Sequence, residues 1–240
     1  DFAIRYFQKT MMRVRYSSIP VVIAPHSLAL GGGCEIALHA DKVVASAETY
    51  TGLVEVGAGV IPGGGGTKEF ALRLADETFD GDIELPSLKE KFLTIGMAKV
   101  STSASEAFDL GYYKKGRDRI VVNQDRQIAE AKAAVIEMAN AGYTKPVMRK
   151  DIQVLGRQGL GMVYAGAHTM YCGKYISKHD KLISEKLGYV LCGGDLTSKT
   201  KVSEQYLLNL EREAFLSLLG EKKTLERIQS ILTSGKPLRN

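Results

Sequence analysis

The sequence predicts an α/β core in residues 1–75 followed by a mainly α-helical region in residues 76–240. Two observations lead there. The first stretch alternates short β-branched runs with glycine-rich text, the pattern of strands joined by tight turns. After about Ser101 the chain repeats helix, loop, helix, with apolar residues three and four apart. With 45% hydrophobic and 25% charged residues over 240 positions, it can bury a core, which argues against intrinsic disorder.

Residues 2–16 place Phe2, Ile4, Phe7, Met11, Met12 and Val14 at mostly helical spacing. Asp1-Phe2-Ala3-Ile4 has no initiator Met and no signal pattern, and reads as a helix already under way, so the chain is expected to begin inside a larger protein. Pro20 opens a buried strand at Val21-Val22-Ile23. Ala29 to Gly33 is expected to be a tight loop, Cys34 to Ala40 a short helix with Glu35 in its first turn, and Lys42 to Ser46 a returning strand. A second glycine cluster, Gly57 to Gly66, precedes a helix from Lys68 to Leu74, and the acidic, turn-rich stretch from Asp76 to Leu85 is the expected linker or surface loop.

Three amphipathic helices follow. Asp125 to Asn140 turns Ile128, Ala131, Val135, Met138 and Ala139 to one face and stops at Gly142. Ser203 caps a helix to Leu219 whose buried stripe is Leu207, Leu210, Ala214 and Leu218, with Gly220 just past its end. Glu221 to Ser234 is expected to face Leu225, Ile228, Ile231 and Leu232 inward, with Gly235 closing it.

The net charge of +5 permits an anionic partner. Its cations are interleaved with acids, as in Lys89-Glu90-Lys91 and Glu221-Lys222-Lys223, so a solvated surface is the plainer reading and no nucleic acid is expected. No apolar run approaches the roughly 18 residues of a membrane span. Cys34, Cys172 and Cys192 form no C-x-x-C pair, which fits a reducing cytoplasm rather than a disulfide or zinc framework. His26, His39, His168 and His179 show neither H-E-x-x-H spacing nor pairing with cysteine, so no metal site is expected.

Gly57-Ala58-Gly59-Val60-Ile61-Pro62 ends in proline where a dinucleotide loop needs glycine, and no phosphate loop or G-x-S-x-G elbow occurs. Two glutamates remain, Glu35 after the first glycine tract and Glu55 before the second, each bordered by apolar residues. A carboxylate in an apolar setting is expected to have its pKa raised toward the range useful for proton transfer, and two such groups can divide acid and base work. The alternative is a pair of ordinary surface or salt-bridged glutamates. Gly31-Gly32-Gly33 at a helix start either admits a ligand to backbone N–H groups or is simply a turn.

The run from Ile19 to Ala24, then Ala29-Leu30-Gly31-Gly32-Gly33-Cys34-Glu35, Asp41, Thr51-Gly52-Leu53-Val54-Glu55-Val56-Gly57, and Ile61-Pro62-Gly63-Gly64-Gly65-Gly66-Thr67 resembles the signature of the crotonase (enoyl-CoA hydratase/isomerase) family. The resemblance implies a partial crotonase-like (ClpP/crotonase) β-β-α core and makes Glu35 and Glu55 the catalytic pair. It also makes the Gly32 N–H half of an oxyanion hole for the thioester carbonyl and Gly63 the glycine that positions water. The implied reaction is reversible hydration of trans-2-enoyl-CoA. Pro25-His26-Ser27-Leu28 departs from the family's V-N-G-Y, and the second glycine cluster is longer than usual. In that family the other oxyanion N–H and most of the adenine pocket lie upstream of anything matching Asp1, so this chain alone is expected to be inactive.

The stretch from Lys201 to Phe215 and the closing Ser234 to Asn240 resemble the tail of fused bacterial proteins of fatty-acid β-oxidation, whose N-terminal half is an NAD-dependent 3-hydroxyacyl-CoA dehydrogenase. The resemblance implies no cofactor in this chain, NAD being confined to the dehydrogenase half, an acyl-CoA substrate, a homo-oligomer and a possible thiolase partner. The alternatives are a Δ3,Δ2-enoyl-CoA isomerase, against which the presence of both glutamates argues, and a non-catalytic scaffold that docks the dehydrogenase or a thiolase.

Overall fold

The computed structural model describes residues 1–79 and 81–240. In chain order the elements are α1 (Phe2–Arg15), β1 (Val22–Ile23), β2 (Ser27–Leu30), α2 (Gly32–His39), β3 (Lys42–Ser46), β4 (Thr49–Gly52) and a 3-10 turn (Glu55–Ala58). Then come α3 (Gly66–Asp76), α4 (Glu84–Gly96), α5 (Ala104–Asp109), β5 (Arg119–Val121) and, after a short 3-10 turn, α6 (Gln127–Asn140). The chain continues through β6 (Ile152–Val154), α7 (Arg157–Cys172), α8 (Lys178–Leu191), β7 (Thr200–Val202), α9 (Glu204–Leu219) and α10 (Lys222–Ser234). They fall into two compact units, one of residues 2–53 and 99–148, the other of residue 1, 54–98 and 149–240.

The first unit is α/β. Its sheet is parallel, in the order β1-β3-β5, with Ile23 opposite Val43 and Ala45 opposite Ile120. A second parallel pair joins β2 to β4, from Ser27 opposite Thr49 to Leu30 opposite Gly52. Parallel neighbours need a crossover, and α2 supplies it. The expected loop from Ala29 to Gly33 is therefore shorter than the sequence suggests: Ala29 and Leu30 are drawn into β2 by their pairing with Thr51 and Gly52, and Gly31 alone makes the bend, at φ +55°.

Helix α6 covers this sheet through part of the expected face. Ala131 is buried and Val135 and Met138 are half-buried, whereas Ile128 and Ala139 stand exposed, and Ala134 joins Ala131 in packing with Val44 and Val121. The polar Gln127 is buried beside them because its amide donates to the carbonyls of Pro25 at 2.7 Å and Val44 at 2.9 Å. The boundary of the fold also differs from the expected one at residue 75. β5 and α6 belong with the strands of residues 22–52, whereas the second glycine cluster and α3 belong to the other unit.

That second unit is mostly helical, with one antiparallel pair, β6 with β7. Its centre is α3, buried from Gly66 to Leu74, with α4, α8, α9 and β6 around it. α7 and α8 pack closely, since a Cβ at Gly188 would stand 2.4 Å from Val163 Cγ1. α9 follows expectation, with Ser203 accepting from the Tyr206 N–H at the cap and Leu207, Leu210, Ala214 and Leu218 buried.

α10 does so only in part: Ile228 and Ile231 are half-buried, whereas Leu225 and Leu232 are exposed and the fully buried side chains are Thr224 and Arg227. Lys91 likewise leaves the expected solvated surface and is buried, its Nζ 2.8 Å from Glu77 Oε2. The expected linker narrows to the stretch between α3 and α4; Asp80 within it lies outside the described residues. Among the described residues, no helix is long and apolar enough to cross a membrane.

Candidate functional site

Gly32 and Glu35 share the first turn of α2 in the first unit. The first intrahelical bond runs from the Glu35 N–H to the Gly31 carbonyl at 2.9 Å, which leaves the N–H groups of Gly32, Gly33 and Cys34 outside the helical ladder. These groups and the helix dipole make a positive end suited to an oxygen that gains negative charge. Gly31 is fixed by donating its own N–H to Gly52 at 2.8 Å. Gly32 has a packing reason as well, since a Cβ there would stand 3.2 Å from the ring of Phe7. Glu35 is 1% exposed, and the other end of its helix is held by His39, whose Nδ1 lies 2.7 Å from the Glu35 carbonyl oxygen.

Glu55 and Gly63 lie in the second unit. Glu55 is half-buried and opens the 3-10 turn, which Gly59 ends in the left-handed conformation at φ +89°, its N–H returning to the Val56 carbonyl at 3.0 Å. Gly63 sits under Phe215 of α9, whose ring would be 2.8 Å from a Cβ at that position. One helical turn earlier on α9, the buried Glu211 accepts from the Gly65 N–H at 2.6 Å and the Lys68 N–H at 3.0 Å. Gly65 brings no side-chain cap of its own, so Glu211 caps α3 from across the unit. α9 thus fixes both ends of the Gly63–Gly66 stretch.

Behind that cap lies a group of ions. Lys68, fully buried, pairs through Nζ with Glu69 and, at 3.1 Å, with Glu204, whose other oxygen accepts from the Arg149 N–H at 3.0 Å. Buried charges persist only when paired and hydrogen-bonded. Neither this group nor Glu211, Phe215, Thr224 and Arg227 carries a signal of its role in the sequence, because nothing near them in the chain marks their partners.

A cavity of about 840 Å³ opens within the second unit, toward the large end of the ~300–1,000 Å³ usual for small-molecule sites. Val56 and Gly57, directly after Glu55, form part of its wall, with Phe92 and Leu93 of α4 and Met170 and Ile176 around the end of α7. Open space faces Gly57 where a side chain would begin. Cys172 also lines it, and its Sγ lies 3.4 Å from His168 Nε2, so the expectation that no histidine pairs with a cysteine is corrected: one helical turn brings these two together. Among the described residues, no group of three or more His, Cys, Asp or Glu side chains is arranged to hold a metal ion.

The enoyl-CoA hydratase/isomerase family model matches residues 3–78. A Bacillus subtilis (strain 168) protein named "Probable 3-hydroxyacyl-CoA dehydrogenase" is 46% identical over all 240 residues, and this chain spans 30% of its length. A short-chain-enoyl-CoA hydratase of Clostridium acetobutylicum is 43% identical over 63 residues, which are 26% of this chain and 24% of that one. In structure, an enoyl-CoA hydratase from Bacillus halodurans superposes with a TM-score of 0.55 at 16% identity, over 95% of this chain and 67% of that one. At that identity the likeness speaks for the fold.

Proposed function

We propose a function from one premise, that the chain belongs to the crotonase (enoyl-CoA hydratase/isomerase) superfamily: it is an enoyl-CoA hydratase module that adds water reversibly to a trans-2-enoyl-CoA. The observation that carries the proposal is the first turn of α2, where the Gly32 N–H stands outside the helical ladder three residues before the buried Glu35. In this reading the Gly32 N–H donates to the thioester carbonyl oxygen and stabilises the negative charge that builds there. Glu35 takes a proton from the water that attacks C3, and Glu55 gives one to C2. Hydroxyl and hydrogen are thus added across the double bond, and both carboxyl groups exchange roles in the reverse direction. The Gly63 N–H orients the water.

The acyl chain beyond C3 has to leave the reacting atoms, and the cavity that begins at Val56 and Gly57, with Phe92, Leu93 and Met170 in its wall, is the place for it. The acyl-CoA thioester is the substrate, and no cofactor is assigned to this chain. We further read the module as one part of a cytoplasmic, homo-oligomeric 3-hydroxyacyl-CoA dehydrogenase of fatty-acid β-oxidation, with NAD serving the dehydrogenase part and a thiolase as a possible consumer of its product.

The test is hydration of crotonyl-CoA by the intact protein, followed as loss of the enoyl absorbance. Glu35→Gln and Glu55→Gln are each expected to lower kcat by at least about 10³-fold, at the upper part of the range for a lost acid–base group. Undiminished activity in both variants would leave only the scaffold reading, and turnover confined to 3-enoyl substrates would make the protein an isomerase.

A further inference from the structure

Glu55 stands on a 3-10 turn of four residues, too short to hold a carboxyl group in one direction unaided. The turn itself is seated from α10. The buried Thr224 hydroxyl donates to the Gly59 carbonyl at 2.8 Å, at the exit of the turn. One helical turn's face further along, Arg227 is 1% exposed and points Nη1 at the Val56 carbonyl at 3.5 Å, a long contact, while its stem covers Gly59 so closely that a Cβ there would lie 3.2 Å from Cδ.

Arg227 is itself held on its remaining sides. Nη2 meets Asp180 Oδ1 at 2.8 Å, and Nε donates to Asn240 Oδ1 at 2.9 Å. Asp180 is fixed in turn by a capping box with Ser177 at the start of α8. Next to it, His179 Nε2 lies 2.9 Å from Thr224 Oγ1. The threonine has one proton, given to Gly59, so His179 is the donor in that contact and carries its hydrogen on Nε2. A fully buried guanidinium needs such partners and is otherwise costly. Nothing in the hydration scheme requires a cation here, and no apolar side chain could reach the turn, Asp180 and Asn240 at once.

We propose that Arg227 is a positioning residue for Glu55: clamped by Asp180 and Asn240, it seats the turn from Val56 to Gly59 and thereby fixes the direction of the carboxyl group. It touches no substrate and acts through Glu55 alone. The proposal rests on the hydratase reading given above.

The experiment is a double-mutant cycle in the intact protein, with kcat and KM for crotonyl-CoA measured separately. Arg227→Met is expected to lower kcat about 100-fold, the effect of a displacement near 1 Å in a reacting group, with KM changed less than threefold. Arg227→Lys, which keeps the charge but not the planar fork, should recover part of that loss. In the Glu55→Gln background, Arg227→Met should lower the residual rate no further, since residues that act as one unit are not additive. Thr224→Val supplies the same comparison should Arg227→Met fold poorly. An equal loss in both backgrounds, or a rise in KM with kcat intact, overturns the positioning role. Full activity of Glu55→Gln would instead overturn the hydratase reading, so the two failures are distinguishable.

Discussion

Replacing Glu211 tests how α3 is held. Its two carboxylate oxygens accept from the Gly65 and Lys68 N–H groups, which precede the first intrahelical bond, from Glu69 to the Gly65 carbonyl. Both donors are therefore among those the helix cannot satisfy itself. Glu211→Gln keeps one acceptor and turns an NH2 group toward the other N–H. That forfeits one charge-assisted bond, about 1.5–3 kcal/mol, and the attraction of a carboxylate to a helix N-terminus, about 0.3–1 kcal/mol. The expected loss is about 2–4 kcal/mol. For a chain of this size it should lower the thermal midpoint by roughly 2–4 °C per kcal/mol. Glu211→Ala leaves both donors bare and should cost more. Urea titration followed by circular dichroism measures each variant. A loss below about 1 kcal/mol for Glu211→Gln would mean that desolvating the carboxylate already cancels its bonds, and the capping account would fail.

Gly57→Leu places a side chain in the cavity beside Glu55; kcat/KM for a C10 or C16 enoyl-CoA should fall at least tenfold more than that for crotonyl-CoA, and an equal effect on all lengths would remove the acyl chain from this cavity. Acid should weaken the fold through His179 and Asp180. Burial, and then the Arg227 charge, push the His179 imidazole below its ordinary value. Burial pushes the Asp180 carboxyl up, but the Ser177 N–H and Arg227 outweigh it and leave the group below the usual carboxylate value. Both bind more protons when unfolded, so the histidine contribution is complete above about pH 6.5 and the aspartate contribution above about pH 3.9. Each is lost as pH falls through the folded value, and the urea midpoint should drop from pH 7.5 to pH 5, less so in His179→Gln. A midpoint that rises with acid would contradict this sign.

What could be read from the chain was what is decided locally. Lys42 to Ser46 is β-branched enough to announce β3, and α9 carries its cap, its stripe and a terminal glycine within eighteen residues, Ser203 to Gly220. The helix that carries Glu35 in its first turn was legible because a glycine tract followed by a helix is a local pattern. The faces of α6 and α10 depart in part from the apolar stripe for one reason: a hydrophobicity rule assigns Ile128, Leu225 and Leu232 to the interior, while Gln127, Thr224 and Arg227 are buried instead through hydrogen bonds to distant carbonyls. Glu211 stands 146 residues from the Gly65 that it caps, beyond any window of periodicity. β5, three residues beginning with an exposed arginine, becomes a strand only beside β3.

Thr224 is separated from its acceptor, Gly59, by 165 positions. On a ribosome adding about 5–20 residues per second, the two glutamates would emerge roughly 10–30 s before the helix that seats one of them. A nascent chain holding both acids would meanwhile have an unlatched loop and would lack the Glu204 that completes the Lys68–Glu69 group, so maturation of this unit waits on translation of its far end.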